Sequence, residues 1–274
     1  MPELPEVEIV RRGLTERFVG RELRAVVARR PDLRWPIPPD LDRRLAGRRL
    51  RSVERRSKYL MLDFGEGTLI VHLGMSGTLR ARRPGEPPTA HDHFDLDFGD
   101  AVLRLNDPRR FGAVLWSDSD AARTGAEHPL FRRLGIEPFD PRFGGEWLFA
   151  GTRGRRAGIK AMLLAGAIVV GVGNIYACES LFRSGIRPTR MAGRLARARC
   201  DRLATAIRET LADAIEAGGS SLKDFVSSSG ESGYFQLRTF VYGRTGQPCL
   251  VCRTPIRMIR QQQRASFFCP TCQR

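Results

Sequence analysis

Lysine is almost absent from this chain. Of its 46 lysine and arginine residues only Lys58, Lys160 and Lys223 are lysine, which leaves 46 − 3 = 43 arginines. The arginine codons of a GC-rich coding sequence account for most of such a skew. Under that bias a surviving lysine marks a position where arginine does not substitute, because an ammonium can change pKa and transfer a proton while a guanidinium stays charged. Long apolar runs are also missing. No stretch approaches the ~18 residues needed to span a bilayer, so a membrane protein is not expected. The opening MPELPEVE is acidic where a secretory signal would be basic and then apolar. A cytoplasmic, nucleoid-associated protein with reduced cysteines is therefore expected. There is no internal repeat.

What the sequence has in excess is positive charge. Acidic residues number 30 against 46 basic ones, for a net charge of +16. Such a surface needs a polyanionic partner, and nucleic acid comes before an anionic membrane. The hydrophobic fraction of 42% is enough for a real core, which excludes wholesale disorder.

The pattern changes along the chain. Residues 5–18 read as an amphipathic helix, with Pro5 at its start, Glu6 and Glu8 at its positive end, and Val7, Val10, Leu14 and Phe18 on one face. From Leu23 to Trp116 short strands follow at 58–64, 68–73, 94–98, 101–105 and 113–117, with hairpin turns at Gly65-Glu66-Gly67 and Gly99-Asp100. Beyond about residue 125 the chain turns helical. Helices are expected at His128–Leu134, Ile159–Ile168 and Asn174–Phe182, and a longer one through Leu203, Ile207, Leu211 and Ile215 to Gly218-Gly219. Ser227–Gly233 reads as a polar loop. The expected fold class is α+β and multidomain. An antiparallel β-sandwich with an N-terminal helix occupies 1–125, a helical domain 126–235, and a cysteine-bearing ribbon 236–274.

The ribbon rests on spacing. Cys249-x2-Cys252 and Cys269-x2-Cys272 are separated by residues 253–268, which fits two thiolate pairs about 15–20 residues apart around one zinc. Two disulfides are the alternative, disfavoured in a reducing compartment. Four cysteines leave no open position on the metal, so the zinc is expected to be structural. Cys178 and Cys200 fall on helical runs and read as packing residues.

The N-terminus is a chemical group in its own right. Removal of Met1 would expose the secondary amine of Pro2, and an α-amino group with a pKa of about 7.7–8.0 is partly nucleophilic near neutrality. Glu3 and Glu6 stand next to it as proton carriers. On these residues alone an ordinary acidic helix start is the simpler account.

Whole motifs change that balance. MPELPEVE, Arg55-Arg56-Ser57-Lys58-Tyr59, His72-Leu73-Gly74-Met75-Ser76-Gly77, His91-Asp92-His93 and Asp107-Pro108-Arg109-Arg110-Phe111-Gly112 resemble the formamidopyrimidine-DNA glycosylases, bacterial repair enzymes for 8-oxoguanine. The resemblance continues through Val172-Gly173-Asn174-Ile175-Tyr176-Ala177, Leu222-Lys223-Asp224-Phe225 and Arg264-Ala265-Ser266-Phe267. It implies Pro2 as Schiff-base nucleophile, Glu3 as the acid assisting base loss, Lys58 as proton donor in β-elimination and Arg264 acting in δ-elimination. Because arginine stays protonated, phosphate clamping is the better account of Arg264.

The same resemblance implies a helix–two-turn–helix in the middle domain and DNA contacts at Met75, His91, Arg109, Phe111, Arg155 and Asn174. Met75, Arg109 and Phe111 would fill the gap left by an extruded nucleotide, a step that chemistry on a stacked base requires. Without the resemblance, Met75 and Phe111 would be assigned to the core. Two positions depart from the family pattern: Arg155 replaces a commoner lysine, and Arg253 stands where glycine usually follows the second cysteine. A monomer acting on damaged double-stranded DNA is expected. Of two competing readings, a pyrimidine-preferring endonuclease VIII-like enzyme usually lacks this start and the Arg109–Phe111 arrangement. A non-catalytic zinc-ribbon binder leaves Pro2, Glu3 and Lys58 without a purpose.

Overall fold

The computed structural model describes residues 2–118, 129–218 and 239–274. They fall into two compact units, residues 2–118 with 129–132 and 218, and residues 133–217 with 239–274. The loop expected at Ser227–Gly233, together with Lys223 and Gly219, lies outside the described residues.

The first unit opens with helix α1 (Leu4–Phe18). Its start is chemically specified. Glu3 caps the helix, its carboxylate receiving the Glu6 N–H while its own N–H donates to Glu6 Oε2 at 2.7 Å. This reciprocal pair satisfies two backbone donors that a helix start otherwise leaves unpaired. Val7, Val10, Leu14 and Phe18, spaced for one helical face, are buried.

Strands β1 (Ala25–Ala28), β6 (Asp92–Asp97), β7 (Val102–Asn106) and β5 (Thr78–Arg82) form one antiparallel sheet in the order β1-β6-β7-β5. Strands β2 (Ser52–Arg56), β3 (Tyr59–Asp63), β4 (Thr68–His72) and β8 (Ala113–Ser117) form the other in chain order. One core joins α1 to both sheets. Leu14 and Phe18 meet Leu60 and Val71 of one sheet and Phe94 and Leu103 of the other, which makes a sandwich. A short helix α2 (Leu41–Leu45) packs beside β1. At the two expected hairpins Gly65 and Gly99 take φ of 97° and 90°, a region open to glycine at little cost.

The second unit is helical: α3 (Gly145–Thr152), α4 (Ile159–Ala165), α5 (Asn174–Arg183) and α6 (Arg197–Glu216). Helix α6 packs against α3 and α5, with Leu203, Ile207 and Leu211 fully buried. It ends at Ala217, followed by Gly218 at φ 82°. A single antiparallel hairpin, β9 (Arg257–Gln261) with β10 (Arg264–Phe268), closes the chain.

Some boundaries differ from expectation. His128 lies outside the described residues, and 129–133 form turns rather than the short helix expected at 128–134. Helix α4 stops at Ala165, where Gly166 takes a left-handed φ of 69°, rather than running to Ile168. No helix among the described residues is long and apolar enough to cross a membrane.

Candidate active site and nucleic-acid interface

In the first unit Pro2 and Glu3 are buried at the positive end of α1, with Glu3 only 1% exposed. Met1 lies outside the described residues. A carboxylate here is held in one geometry by the capping pair and is stabilised by the helix dipole. Lys58 sits in the two-residue turn between β2 and β3, preceded by Ser57 at φ 57°. That turn is tied to α1 through Arg55, which donates to the Ser57 carbonyl at 2.9 Å and to Glu8 Oε2 at 3.1 Å. Burial works to raise the pKa of Glu8. Hydrogen bonds from Arg11, Arg12 and Arg55 outweigh it and hold the carboxyl below its ordinary value. The helix that follows Pro2 and Glu3 and the turn bearing Lys58 are thus joined by a nearly buried ion pair.

His72, at the end of β4, is a residue that sequence reasoning did not single out. Its Nδ1 accepts the Gly74 N–H at 3.0 Å and its ring lies against Tyr59, centroids 4.7 Å apart. Burial, with Lys58 and Arg34 nearby, depresses its pKa to about 4, against a smaller opposing pull from Asp107. It is therefore neutral near pH 7, its tautomer set by the Gly74 contact.

Because the unfolded chain takes up a proton at this histidine near pH 6.5 and the folded chain only near 4, His72 supports stability above pH 6.5. That support should fade as pH falls toward 4, by at most about 3 kcal/mol. Denaturant unfolding between pH 7 and 4 should show a shallower loss in His72→Asn, whose side-chain oxygen can still accept from Gly74. An equal loss in both proteins would count against it.

The expected DNA-facing residues of this unit occupy loops at the sandwich edge. Met75, half-buried, lies in the turn after β4. Phe111 is 44% exposed, and the Arg109 guanidinium stacks 4.7 Å above its ring. An exposed aromatic carrying a stacked cation is a poor core residue and a usable wedge. His91 is exposed, whereas His93 beside it is buried with Nε2 3.1 Å from the Asp107 carbonyl oxygen.

In the second unit Asn174 is the first residue of α5, after Gly173. Its Oδ1 is buried without a hydrogen-bond partner. That oxygen can only accept, so the amide NH2 is the group that can donate to an oxyanion, which the positive end of α5 favours. Arg155 is exposed, its backbone pinned by bonds to Thr152 and Gly193. Arg264 opens β10 and is exposed, directly after Gln262 and Gln263, both left-handed at φ 46° and 60°.

Lys160 explains its survival as a lysine. It is 1% exposed on α4, and Nζ donates to the Ala265 carbonyl and to Ser266 Oγ, both at 2.7 Å. The ammonium thus anchors the strand that carries Arg264, in a space sized for a compact donor rather than a planar fork. Glu179 of α5 is another buried anchor that the sequence did not reveal, accepting the N–H groups of Phe240, Val241 and Tyr242 at 2.8–3.0 Å.

Sγ atoms of Cys249, Cys252, Cys269 and Cys272 all lie within 4.8 Å of one another. Tetrahedral zinc with Zn–S bonds of about 2.3 Å needs sulfurs about 3.8 Å apart, and two of the pairs stand at 3.9 and 3.4 Å. The Val251 and Cys272 N–H groups point at Cys249 and Cys269 sulfurs, which favours thiolates. The donor set fits one structural zinc. Arg253 adopts φ 66°, a left-handed position that costs an arginine more than the glycine usual there. The ribbon's Ile256 and two of its cysteines pack against Cys178 and Phe182 of α5.

Comparison with known proteins agrees along the chain. Sequence models of the formamidopyrimidine-DNA glycosylase N-terminal domain, the H2TH domain of the same enzymes, and a zinc finger found in FPG and IleRS match residues 1–114, 134–226 and 246–274. Formamidopyrimidine-DNA glycosylases of Cupriavidus pinatubonensis and Bordetella pertussis are each 60% identical, with all of both chains covered. Among solved structures, the Lactococcus lactis Fpg in complex with DNA containing an abasic site superposes with a TM-score of 0.90 at 33% identity, covering 99% of each chain. The Thermus thermophilus MutM (Fpg) protein gives 0.86 at 39% identity, covering 99% of this chain and 98% of that one. The chain belongs to the formamidopyrimidine-DNA glycosylase family.

Proposed function

We propose that this chain is a bifunctional DNA glycosylase and abasic-site lyase that excises oxidised purines, 8-oxoguanine and formamidopyrimidines, in base excision repair. The observation that carries the reading is the start of the chain: Pro2 followed by a buried Glu3 fixed in a capping pair, in a sequence that matches these glycosylases over its whole length. The substrate class is supported by relatives at 34% identity, a Lactococcus lactis Fpg in complex with DNA containing Fapy-dG and a MutM in complex with DNA containing carbocyclic 8-oxo-G.

With Met1 removed, the Pro2 nitrogen attacks C1′ of the extruded nucleotide as the N-glycosidic bond breaks. Glu3 assists loss of the base, which leaves with the proton that the Pro2 nitrogen gives up, and then supplies the proton that opens the sugar. The carboxylate it becomes takes up the C2′ proton in the next step, and water enters only at the end, to hydrolyse the Schiff base and free Pro2. The resulting iminium draws electrons from C2′, so loss of a C2′ proton expels the 3′ phosphate, with Lys58 as proton donor. A second elimination expels the 5′ phosphate while Arg264 holds it as a fixed cation. Asn174, Arg155 and His91 contact the phosphate backbone, and Met75, Arg109 and Phe111 occupy the gap in the duplex. In this reading residues 1–125 carry the chemistry, 126–235 grip DNA and 236–274 present Arg264. The protein acts as a monomer on damaged double-stranded DNA in the cytoplasm, at the nucleoid.

Borohydride reduction during turnover tests this directly. The trapped DNA adduct should map to the N-terminal peptide at Pro2, because arginine forms no Schiff base. An adduct on Lys58, Lys160 or Lys223 with Pro2 unmodified would overturn the assignment.

A further inference from the structure

We propose that Asp107 is the positioning residue that fastens the DNA-facing loops of the first unit into one preformed wedge. This rests on the reading above that Met75, His91, Arg109 and Phe111 face DNA. Asp107 follows β7 and is fully buried. Its carboxylate joins two loops: Oδ1 accepts from Ser76 Oγ at 2.9 Å and Oδ2 from the Gly112 N–H at 2.7 Å. Its main chain reaches a third segment, donating to the His91 carbonyl at 2.9 Å. The Asp107 carbonyl accepts from Arg110 N–H at 3.1 Å and faces His93 Nε2. One residue thus holds Ser76 beside Met75, the His91 main chain, Arg110 between Arg109 and Phe111, and Gly112 after Phe111.

The loops meet backbone to backbone. A Cβ on Gly74 would come within 2.4 Å of the Phe111 carbonyl carbon, and Gly74 takes φ 62°. Arg110 is held at φ 56° between the two wedge residues, a conformation that persists only where its surroundings impose it. A carboxylate suits this hub because it presents two acceptors to two donors in a fixed plane. Prying a base step open demands side chains already in register, since disordered loops would lose their freedom in the same step.

The test uses the full-length protein and three variants, Asp107→Ala, Asp107→Asn and Ser76→Ala, on two substrates. One is duplex DNA with 8-oxoguanine beside a fluorescent 2-aminopurine that reports extrusion. The other is a single-stranded oligonucleotide with an abasic site, which needs no wedge. Asp107→Ala should lose roughly 10²-fold in single-turnover excision on the duplex and stay within about threefold on the single strand. Its extrusion signal should slow in parallel.

Asp107→Asn should recover most of the duplex rate, since its amide oxygen can face Gly112 and its NH2 can face Ser76 Oγ. Ser76→Ala, which frees one loop only, should lose roughly tenfold on the duplex. If Asp107→Ala does not fold, Ser76→Ala and Asp107→Asn decide the matter. Equal losses on both substrates, unchanged extrusion, or an asparagine no better than alanine would overturn the proposal. Failure of the unsubstituted enzyme to excise 8-oxoguanine or trap on the abasic strand would instead refute the reading beneath it.

Discussion

Glu3→Gln should bind damaged duplex nearly as tightly as the unsubstituted protein and excise the base about 10²–10⁴ times more slowly. Glutamine is the informative change because the amide oxygen can still accept the Glu6 N–H that caps α1, so the helix start survives while the transferable proton is lost. Alanine would remove both at once. Two further variants give the contrast. Asn174→Ala should weaken binding to damaged and undamaged duplex alike and flatten its salt dependence, since a phosphate contact carries no lesion information. Arg109→Ala should lose its preference among bases opposite the lesion, by roughly 1–3 kcal/mol if the contact is bidentate. Binding and single-turnover excision, measured on duplexes with each opposite base, separate the three. A Glu3→Gln protein that mainly loses affinity, beside an Arg109→Ala protein that keeps its preference, would refute this division of labour.

Cys252→Ala should release the metal and abolish binding to lesion-containing DNA. Structural zinc contributes on the order of 10–16 kcal/mol of apparent binding free energy in small ribbons, far more than a single hairpin can replace. The loss would spread, because the ribbon cysteines share their apolar cluster with Phe182 and Val241. With the hairpin loosened, Lys160 would no longer hold Ala265 and Ser266, and Arg264 would lose its fixed direction. Elemental analysis should find one zinc per chain in the parent protein and none in the variant. Active enzyme free of zinc would dispose of the idea.

The parts legible in sequence were those specified locally. Helix α1 announces itself by a stripe of apolar residues and an acidic cap, and the four-cysteine ribbon by spacing alone. Strands such as β4, TLIVH, are apolar enough to read; β2 (SVERR) and β5 (TLRAR) are not, because arginines stand at positions that the fold half-buries. Helix α3 follows Gly144 and starts at Gly145 without a polar cap, so no start signal marks it in the sequence. Buried polar residues were the hardest. Ser76 and Asp107 are 31 positions apart, Glu179 and Val241 are 62, and Lys160 and Ser266 are 106. No local pattern predicts such partners. Phe111 shows the reverse case, an aromatic that periodicity alone would have buried and that the fold leaves 44% exposed.

The turn joining β9 to β10 has a consequence for how such chains can vary. Gln262 and Gln263 are both left-handed, and two-residue loops of that kind match the right-handed twist of paired strands. Side chains alternate faces along a strand, so one residue added or removed at this tip would turn Arg264 to the other side of the ribbon. The composition of the turn is free to drift, since glycine or asparagine would tolerate these angles more easily than glutamine. Its length is not. A two-residue count, rather than any side chain in it, is what natural variation has to preserve for the arginine to keep its aim.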